Sequence, residues 1–373
     1  MRKISYARAI NETLHQLMHK DKKIILMGQG VTSPWYVGTT TVGLVEKFGS
    51  DRVIDTPVAE NSITGIAAGL GLSGMKPILV HPRMDFMHYA MDQIANHIAN
   101  WHFMFGGQHK MSIVMWSIIN RGGEQAAQHS QALQGIFMHI PGLKIVMPSN
   151  PYDAKGLLVS AVRDNNPVLF IDDRWLYQST GYVPRDLYAV PIGKAGTIIK
   201  GRDVTIIANS YMTVKACKAA QILKKEGISA EVIDLRSIKP FDTALIAESV
   251  RKTGRVVVAD GGWRTCGVAA EICAFISEKL FKYLKAPTER VTLPDAPAPA
   301  SSVLEKAYYP DENSIAKAVK KHIKIELSRF LPGVSIIPAA KSLRSTATVG
   351  PRLPSASPRG ERREASGGRR RIK

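Results

Sequence analysis

Twenty residues, Asp55 to Gly74 (DTPVAENSITGIAAGLGLSG), set the tightest limits on what this chain can become. They read as a strand end, a Thr56-Pro57 turn, one carboxylate at Glu60, and then a helix of small residues. Gly65, Ala67, Ala68, Gly69 and Gly71 give that helix almost no side-chain bulk. Glycine in a helix interior costs about 1 kcal/mol relative to alanine. Several together need a compensating contact, and close approach of another backbone or a ligand is the usual one. The plainer reading is a tightly packed α/β helix with a solvated Glu at its N-terminus, where the helix dipole favours a negative charge. On these residues alone both readings stand.

The surrounding chain alternates strands and helices. Tyr6 to Met18 has helical apolar spacing, and KIILMG (Lys23 to Gly28) reads as a short buried strand. Val42 to Phe48 predicts a short helix and Arg52 to Asp55 a strand. KPILVH (Lys76 to His81) is the next strand, Phe86 to Asn100 the next helix, and Ser112 to Trp116 another strand. LKIVMPS, a helix from Tyr152 to Arg163 and VLFID complete a first series. Gly181 to Gly201 is rich in Gly and Pro and reads as a connector. A second series follows: VTIIAN, a helix over Val214 to Glu226, SAEVIDL, a helix over Thr243 to Lys252, RVVVAD, a helix over Val268 to Leu284, ERVTL, and a basic helix over Asp311 to Ile323. Such spacing predicts an α/β protein of two parallel-sheet domains, each sheet covered on both faces. The boundaries expected are 1–185, a linker at 186–200, 201–326, and a tail at 327–373.

The formal charge of +19 invites a nucleic-acid reading. Its distribution argues otherwise. From Arg329 to Lys373 eleven Lys and Arg face only Glu361 and Glu364, so +9 of the excess sits in the last 45 residues. That tail has Pro, Ser, Gly and Arg and almost no apolar anchors, so it reads as disordered. The body carries no basic stripe with interleaved aromatics, which counts against a nucleic-acid partner. No apolar run approaches a membrane span, and the start lacks the apolar core of a secretory signal. Cys217, Cys266 and Cys273 have no C-x-x-C spacing, so neither a disulfide framework nor a zinc site is expected. A cytoplasmic location without membrane partners is the expectation.

DTPVAE with its Gly/Ala helix, DFMHYAMDQIAN, AAQHSQ, PGLKIVMPSNPYDAKGLL and EVIDLRSIKPFD occur in that order. Together they resemble the beta subunits of the thiamine-diphosphate-dependent 2-oxo-acid dehydrogenases, pyruvate and branched-chain type, within the transketolase-like proteins. The resemblance runs from about Ser5 to His322. It implies an N-terminal pyrimidine-binding domain and a C-terminal transketolase-like domain. It also implies an α2β2 assembly with an alpha subunit, a lipoyl acyltransferase core as acceptor, and a small 2-oxo acid as substrate.

Thiamine diphosphate reacts through its thiazolium carbon, and its own aminopyrimidine removes the proton there. A carboxylate on the pyrimidine ring nitrogen makes that base competent. By resemblance the carboxylate is Glu60, Phe86 is the ring against the pyrimidine, and Val58 lines the same pocket. On spacing alone, Phe86 reads as a core residue of an amphipathic helix. His129 in QHSQ matches the family's histidine beside the reacting carbon, and imidazole titrates near neutrality. Ile113, Ala161, Val162, Asp164 and Asn166 match a potassium site made mainly of backbone carbonyls, although a capped helix end explains the same residues.

The Gly-Asp-Gly motif that anchors magnesium and the diphosphate has no match here. Asp260-Gly261-Gly262 lies in the second series, so the alpha subunit is expected to hold the magnesium. Departures occur at Gln29-Gly30, at His81-Pro82-Arg83-Met84 and at Trp116-Ser117-Ile118, all expected around the substrate mouth. Arg83 meets an acidic substrate there or points to solvent. The alternatives are half of a split transketolase or another thiamine-dependent carboligase, and a non-catalytic scaffolding or regulatory subunit.

Overall fold

The computed structural model describes residues 1–330, with side chains to 323. Of the tail expected at 327–373, residues 331–373 lie outside the described residues, while 327–330 belong to the closing helix Glu312–Phe330. The first series forms a seven-stranded sheet in the order Ser237–Lys239, Lys144–Val146, Val168–Asp173, Val114–Ile119, Lys76–His81, Ile24–Gly28, Val53–Asp55. All its pairings are parallel except that of the Ser237–Lys239 edge, which comes from the second series and runs antiparallel to Lys144–Val146. The second series forms a five-stranded sheet, Glu289–Leu293, Val256–Trp263, Val204–Ala208, Ala230–Asp234 and an antiparallel edge Gly196–Ile199. Arg2–Ser5 and Thr180–Val183 make a small antiparallel pair.

Alternation within buried strands explains the layering. Ile25 and Met27 face one core and Ile24 and Leu26 the other, as expected when helices cover both sheet faces. The first of these cores is shared: Ile63, Leu79 and Met115 belong to the same apolar cluster as Ile207, Leu235, Val258 and Ile272 of the second series. Helix ends are set by local chemistry. Asn150 accepts the Asp153 N–H at 2.9 Å ahead of Pro151–Arg163, and Asp242 accepts the Leu245 N–H at 3.1 Å ahead of Thr243–Thr253, which ends on left-handed Gly254.

Several readings from sequence differ from the structure. The single helix expected over Phe86 to Asn100 is a 3₁₀ turn, Met84–Ala90, followed by a π-helical stretch, Asp92–Ile98. The expected connector Gly181 to Gly201 carries most of one strand and all of another, which pair with distant partners rather than with each other. The closing helix runs Glu312–Phe330. Trp116, Ser117 and Ile118 are not at a mouth. They are core residues of Val114–Ile119, all three buried, with the Trp116 ring edge-on to Phe170. A central parallel strand buries both faces, so its Ser and Trp are no sign of exposure. Among the described residues no helix is long and apolar enough to cross a membrane.

Candidate active site

Three segments converge where the strand order reverses. The chain leaves Ile24–Gly28 outward to Val53–Asp55 and returns on the other side to Lys76–His81. In open α/β sheets ligands bind at the carboxyl ends of the strands at such a point. Gln29, then Pro57, Ala59 and Glu60, then Val80 to Arg83 and Phe86 come from those three strand ends and the segments after them, and line one narrow pocket with Ile63. Gly28 permits the strands to close there. Its φ is +146°, and a Cβ would sit 2.4 Å from the Val80 carbonyl oxygen.

Glu60 opens the helix Glu60–Leu72, and Ala59 before it provides no side-chain cap. The Glu60 carbonyl accepts the Thr64 hydroxyl at 2.6 Å, and Thr64 Oγ1 lies 3.4 Å from His81 Nε2. The half-buried Glu60 carboxylate has no hydrogen-bond or ion-pair partner among the described residues. Phe86 lines the same pocket. His129 meets the Phe86 ring edge-on, with centroids 5.4 Å apart. Val58, between Pro57 and Ala59, is 68 % exposed in this chain and is not among the pocket's lining residues.

The residues that position this loop and pocket escaped the sequence reading. Asp85 is buried, and its Oδ1 accepts the Gln131 N–H at 3.0 Å, pinning the far end of the loop that carries His129. Burial pushes the Asp85 carboxyl above the usual carboxylate range. Arg121, at the loop's near end, pairs with Asp173 at 2.7 Å and donates to the Gly261 carbonyl at 3.0 Å. Between these anchors Gly122, Gly123, Glu124 and Ala126 all have positive φ. Glu305 of the second half accepts the Glu124 N–H at 3.1 Å, while Glu124 Oε1 accepts the Ser302 N–H at 3.3 Å. Arg174 donates to Asn120 Oδ1 at 2.9 Å, and Asn120 donates to the Pro82 carbonyl at 2.9 Å.

Asp260 is a buried acceptor for Gln134 at 2.9 Å and Asn209 at 3.1 Å, within a strand that bulges between Ala259 and Trp263. The residues matched to potassium gather at one turn. Ile113 O accepts the Val168 N–H at 3.0 Å and Ala161 O the Asp164 N–H at 3.3 Å. The Asp164 carboxylate holds Lys144 at 2.6 Å and the Asn166 N–H at 2.9 Å, and Val162 is buried beside it.

His81 is fully buried, and burial pushes its imidazole down to about 4. The unfolded chain, near the ordinary 6.5, binds the extra proton first as pH falls. Stability from this residue is therefore intact above 6.5 and drains away as pH falls toward 4. Between pH 7.5 and 5 the loss is about 2 kcal/mol. Urea unfolding at both pH values is expected to show that loss in wild type and not in His81→Gln. Equal slopes in the two proteins would refute it.

Two family models match the chain: transketolase, pyrimidine binding domain, over residues 2–180, and transketolase, C-terminal domain, over 193–315. The acetoin:2,6-dichlorophenolindophenol oxidoreductase subunit beta of Cupriavidus necator is 42 % identical over 333 residues, spanning 87 % of this chain and 98 % of its own. The pyruvate dehydrogenase E1 component subunit beta of Rickettsia felis is 40 % identical over 318 residues, spanning 85 % and 98 %. This chain belongs to the transketolase-like beta subunits of the thiamine-diphosphate-dependent 2-oxo-acid dehydrogenases. The mitochondrial beta subunit of Bos taurus pyruvate dehydrogenase E1 is 39 % identical over 329 residues, spanning 86 % of this chain and 91 % of its own. Two solved structures share the beta subunit's fold. A split gene transketolase, inactive beta4 tetramer, has a TM-score of 0.72 at 24 % identity, covering 87 % of this chain and 99 % of its own. The transketolase from Leishmania mexicana has a TM-score of 0.63 at 16 % identity, covering 87 % and 46 %.

Proposed function

We propose that this beta subunit supplies the pyrimidine-binding half of a thiamine diphosphate site, and that with an alpha subunit it catalyses oxidative decarboxylation of a 2-oxo acid and acyl transfer to a lipoyl group. The observation that carries the reading is the Glu60 carboxylate, half-buried and unpartnered among the described residues, in a pocket with a Phe86 wall. A carboxylate withdrawn from water without a partner is costly until a ligand supplies a donor. When bound, thiamine diphosphate supplies the carbanion chemistry. Glu60 would hold a proton at the pyrimidine nitrogen, Phe86 would lie against the ring and exclude water, and His129 would exchange a proton near the reacting carbon. Val58 would join the wall once the alpha subunit covers it.

Among the described residues no group of three or more His, Cys, Asp or Glu side chains is placed to hold a metal ion. In this proposal the alpha subunit brings magnesium and the diphosphate site. The glycine helix offers a contact for such a partner. Ile66 is 57 % exposed, and a Cβ on Gly69 would meet nothing within 4 Å in this chain, so this chain's own packing does not demand glycine there. An α2β2 assembly, docking of a lipoyl core through the region after Pro294, and potassium on the backbone carbonyls around Ile113, Ala161, Val162, Asp164 and Asn166 belong to the same proposal. Acetoin is a second donor class, resting on the relatives of that name.

The test is to co-express the chain with its alpha subunit, add thiamine diphosphate and magnesium, and assay pyruvate, branched-chain 2-oxo acids, 2-oxoglutarate and acetoin, with and without lipoyl protein. The expected result is turnover of at least one donor, coupled to lipoyl acylation and faster in potassium than in sodium. Product appearing only when an aldehyde acceptor is supplied would transfer the assignment to a carboligase.

A further inference from the structure

Glu60 and Arg83 line the same narrow pocket, yet they do not pair. Arg83 is half-buried, and its guanidinium reaches only neutral oxygens, Gln125 Oε1 at 3.3 Å and the Pro82 carbonyl at 3.4 Å. Arg174 stands behind it, held by Asn120 Oδ1 at 2.9 Å and the Tyr36 carbonyl at 3.0 Å, again neutral groups. Asn120 joins the two, because its amide also holds the Pro82 carbonyl. Among the described residues neither guanidinium has a carboxylate ion-pair partner.

Of the nearby carboxyls, Glu60 does not pair with Arg83, and Asp85 gives one oxygen to the Gln131 amide and attracts Arg83 only from beyond ion-pair distance. Asp172 accepts the Tyr177 hydroxyl at 3.1 Å, and burial pushes it up to about 8, so near neutrality it carries little charge. Burial first, and then the Arg174 charge, pushes the Arg83 pKa down. Guanidinium nevertheless stays protonated near neutral pH. A half-buried cation backed by a second cation is unfavourable until an anion arrives, and guanidinium is shaped to take carboxylate or phosphate through two parallel N–H donors.

We propose that Arg83, supported by Arg174, is the specificity residue that binds an anionic group, carboxylate or phosphate, of the acyl donor at the Glu60 pocket. The assignment of that group to an acyl donor rests on the function proposed above. The anion site itself does not.

The test uses the assembled complex with its alpha subunit and bound cofactor. Pyruvate and acetoin deliver the same acyl unit with and without a carboxylate, and 2-oxoglutarate adds a second one. For Arg83→Met the ratio of kcat/KM on the anionic donor to that on acetoin is expected to fall roughly 10- to 100-fold, mainly through KM, with partial recovery in Arg83→Lys. Greater loss on 2-oxoglutarate than on pyruvate would assign Arg83 to the remote carboxylate, and equal loss to the one next to the carbonyl. Titration calorimetry with glutarate, which does not react, reads the anion site without turnover. Wild type is expected to bind it and Arg83→Met to lose it. If no donor turns over but glutarate binding depends on Arg83, the enzymatic reading fails and the anion site stands. The inference is overturned if wild type binds no glutarate, if Arg83→Met binds it equally, or if all donors lose the same factor. The last outcome, with weaker cofactor binding, would place Arg83 on the cofactor's diphosphate instead.

Discussion

Replacing Glu60 by Gln is expected to lower turnover of the assembled enzyme by a factor on the order of 10² to 10⁴ while leaving cofactor binding within an order of magnitude. Gln keeps the shape and length of the side chain, so the pocket's apolar walls, Ile63, Val80 and Phe86, remain as they are. What it removes is the ability to carry a charge and hold a proton at a pocket position whose side chain has no partner among the described residues. Cofactor affinity drawn from wall contacts and from the diphosphate end on the alpha subunit should survive. The activation of the cofactor should not. Steady-state kinetics of wild type and Glu60→Gln complexes, with cofactor binding followed separately by fluorescence quenching, check both halves. Full activity in the variant would leave only the scaffolding role for this chain.

That prediction rests on a part of the site legible in the sequence. A Thr-Pro turn followed by a carboxylate and a glycine-rich helix describes its own backbone, and Glu60 does open a helix, Glu60–Leu72. The strand ends that lead to Gln29 and Glu60 and that carry His81 follow from apolar runs bounded by turns, which are local signals. The supporting residues were not legible, because their partners are remote. Asp85 finds Gln131 46 positions away, Arg121 finds Gly261 140 away, and Glu305 finds Glu124 181 away. Each reads alone as a solvated charge, and only the fold shows what it holds. The stretch from Met84 to Ile98 was misread for another reason. Apolar spacing predicts one regular helix there, while the backbone first tightens to 3₁₀ and then widens to π. The tight part places the Asp85 anchor and the Phe86 ring together, each touching the His129 loop. Irregular helices often sit where a site demands it.

Arg121 is the support whose removal should cost most. Its guanidinium lies 2.7 Å from Asp173, and both side chains are almost wholly buried. Arg121→Met would leave the Asp173 carboxyl without its cation, and breaking a buried pair on one side typically costs about 3–5 kcal/mol. Replacing both members, Arg121→Met with Asp173→Leu, should recover most of that loss, since a buried ion pair is often no better than apolar residues of similar volume. The lost pair also frees Gly261, whose carbonyl Arg121 grips and whose missing side chain makes room for it. A Cβ there would lie 2.3 Å from the guanidinium. The pH dependence gives an independent check. Burial already pushes the Asp173 carboxyl above the ordinary 3.8, against the pull of Arg121. Without Arg121 it should rise further, so the folded variant holds a proton that the unfolded chain releases. Its stability should therefore decline as pH climbs from about 4 toward neutrality, and the gap to wild type should widen with pH. Urea unfolding of wild type, the single variant and the double variant at pH 5 and pH 7.5 measures this. A single variant within 1 kcal/mol of wild type at pH 7.5 would mean that the pair does not hold the start of the His129 loop. A large loss that the double variant restores would place that anchor in the Arg121–Asp173 pair.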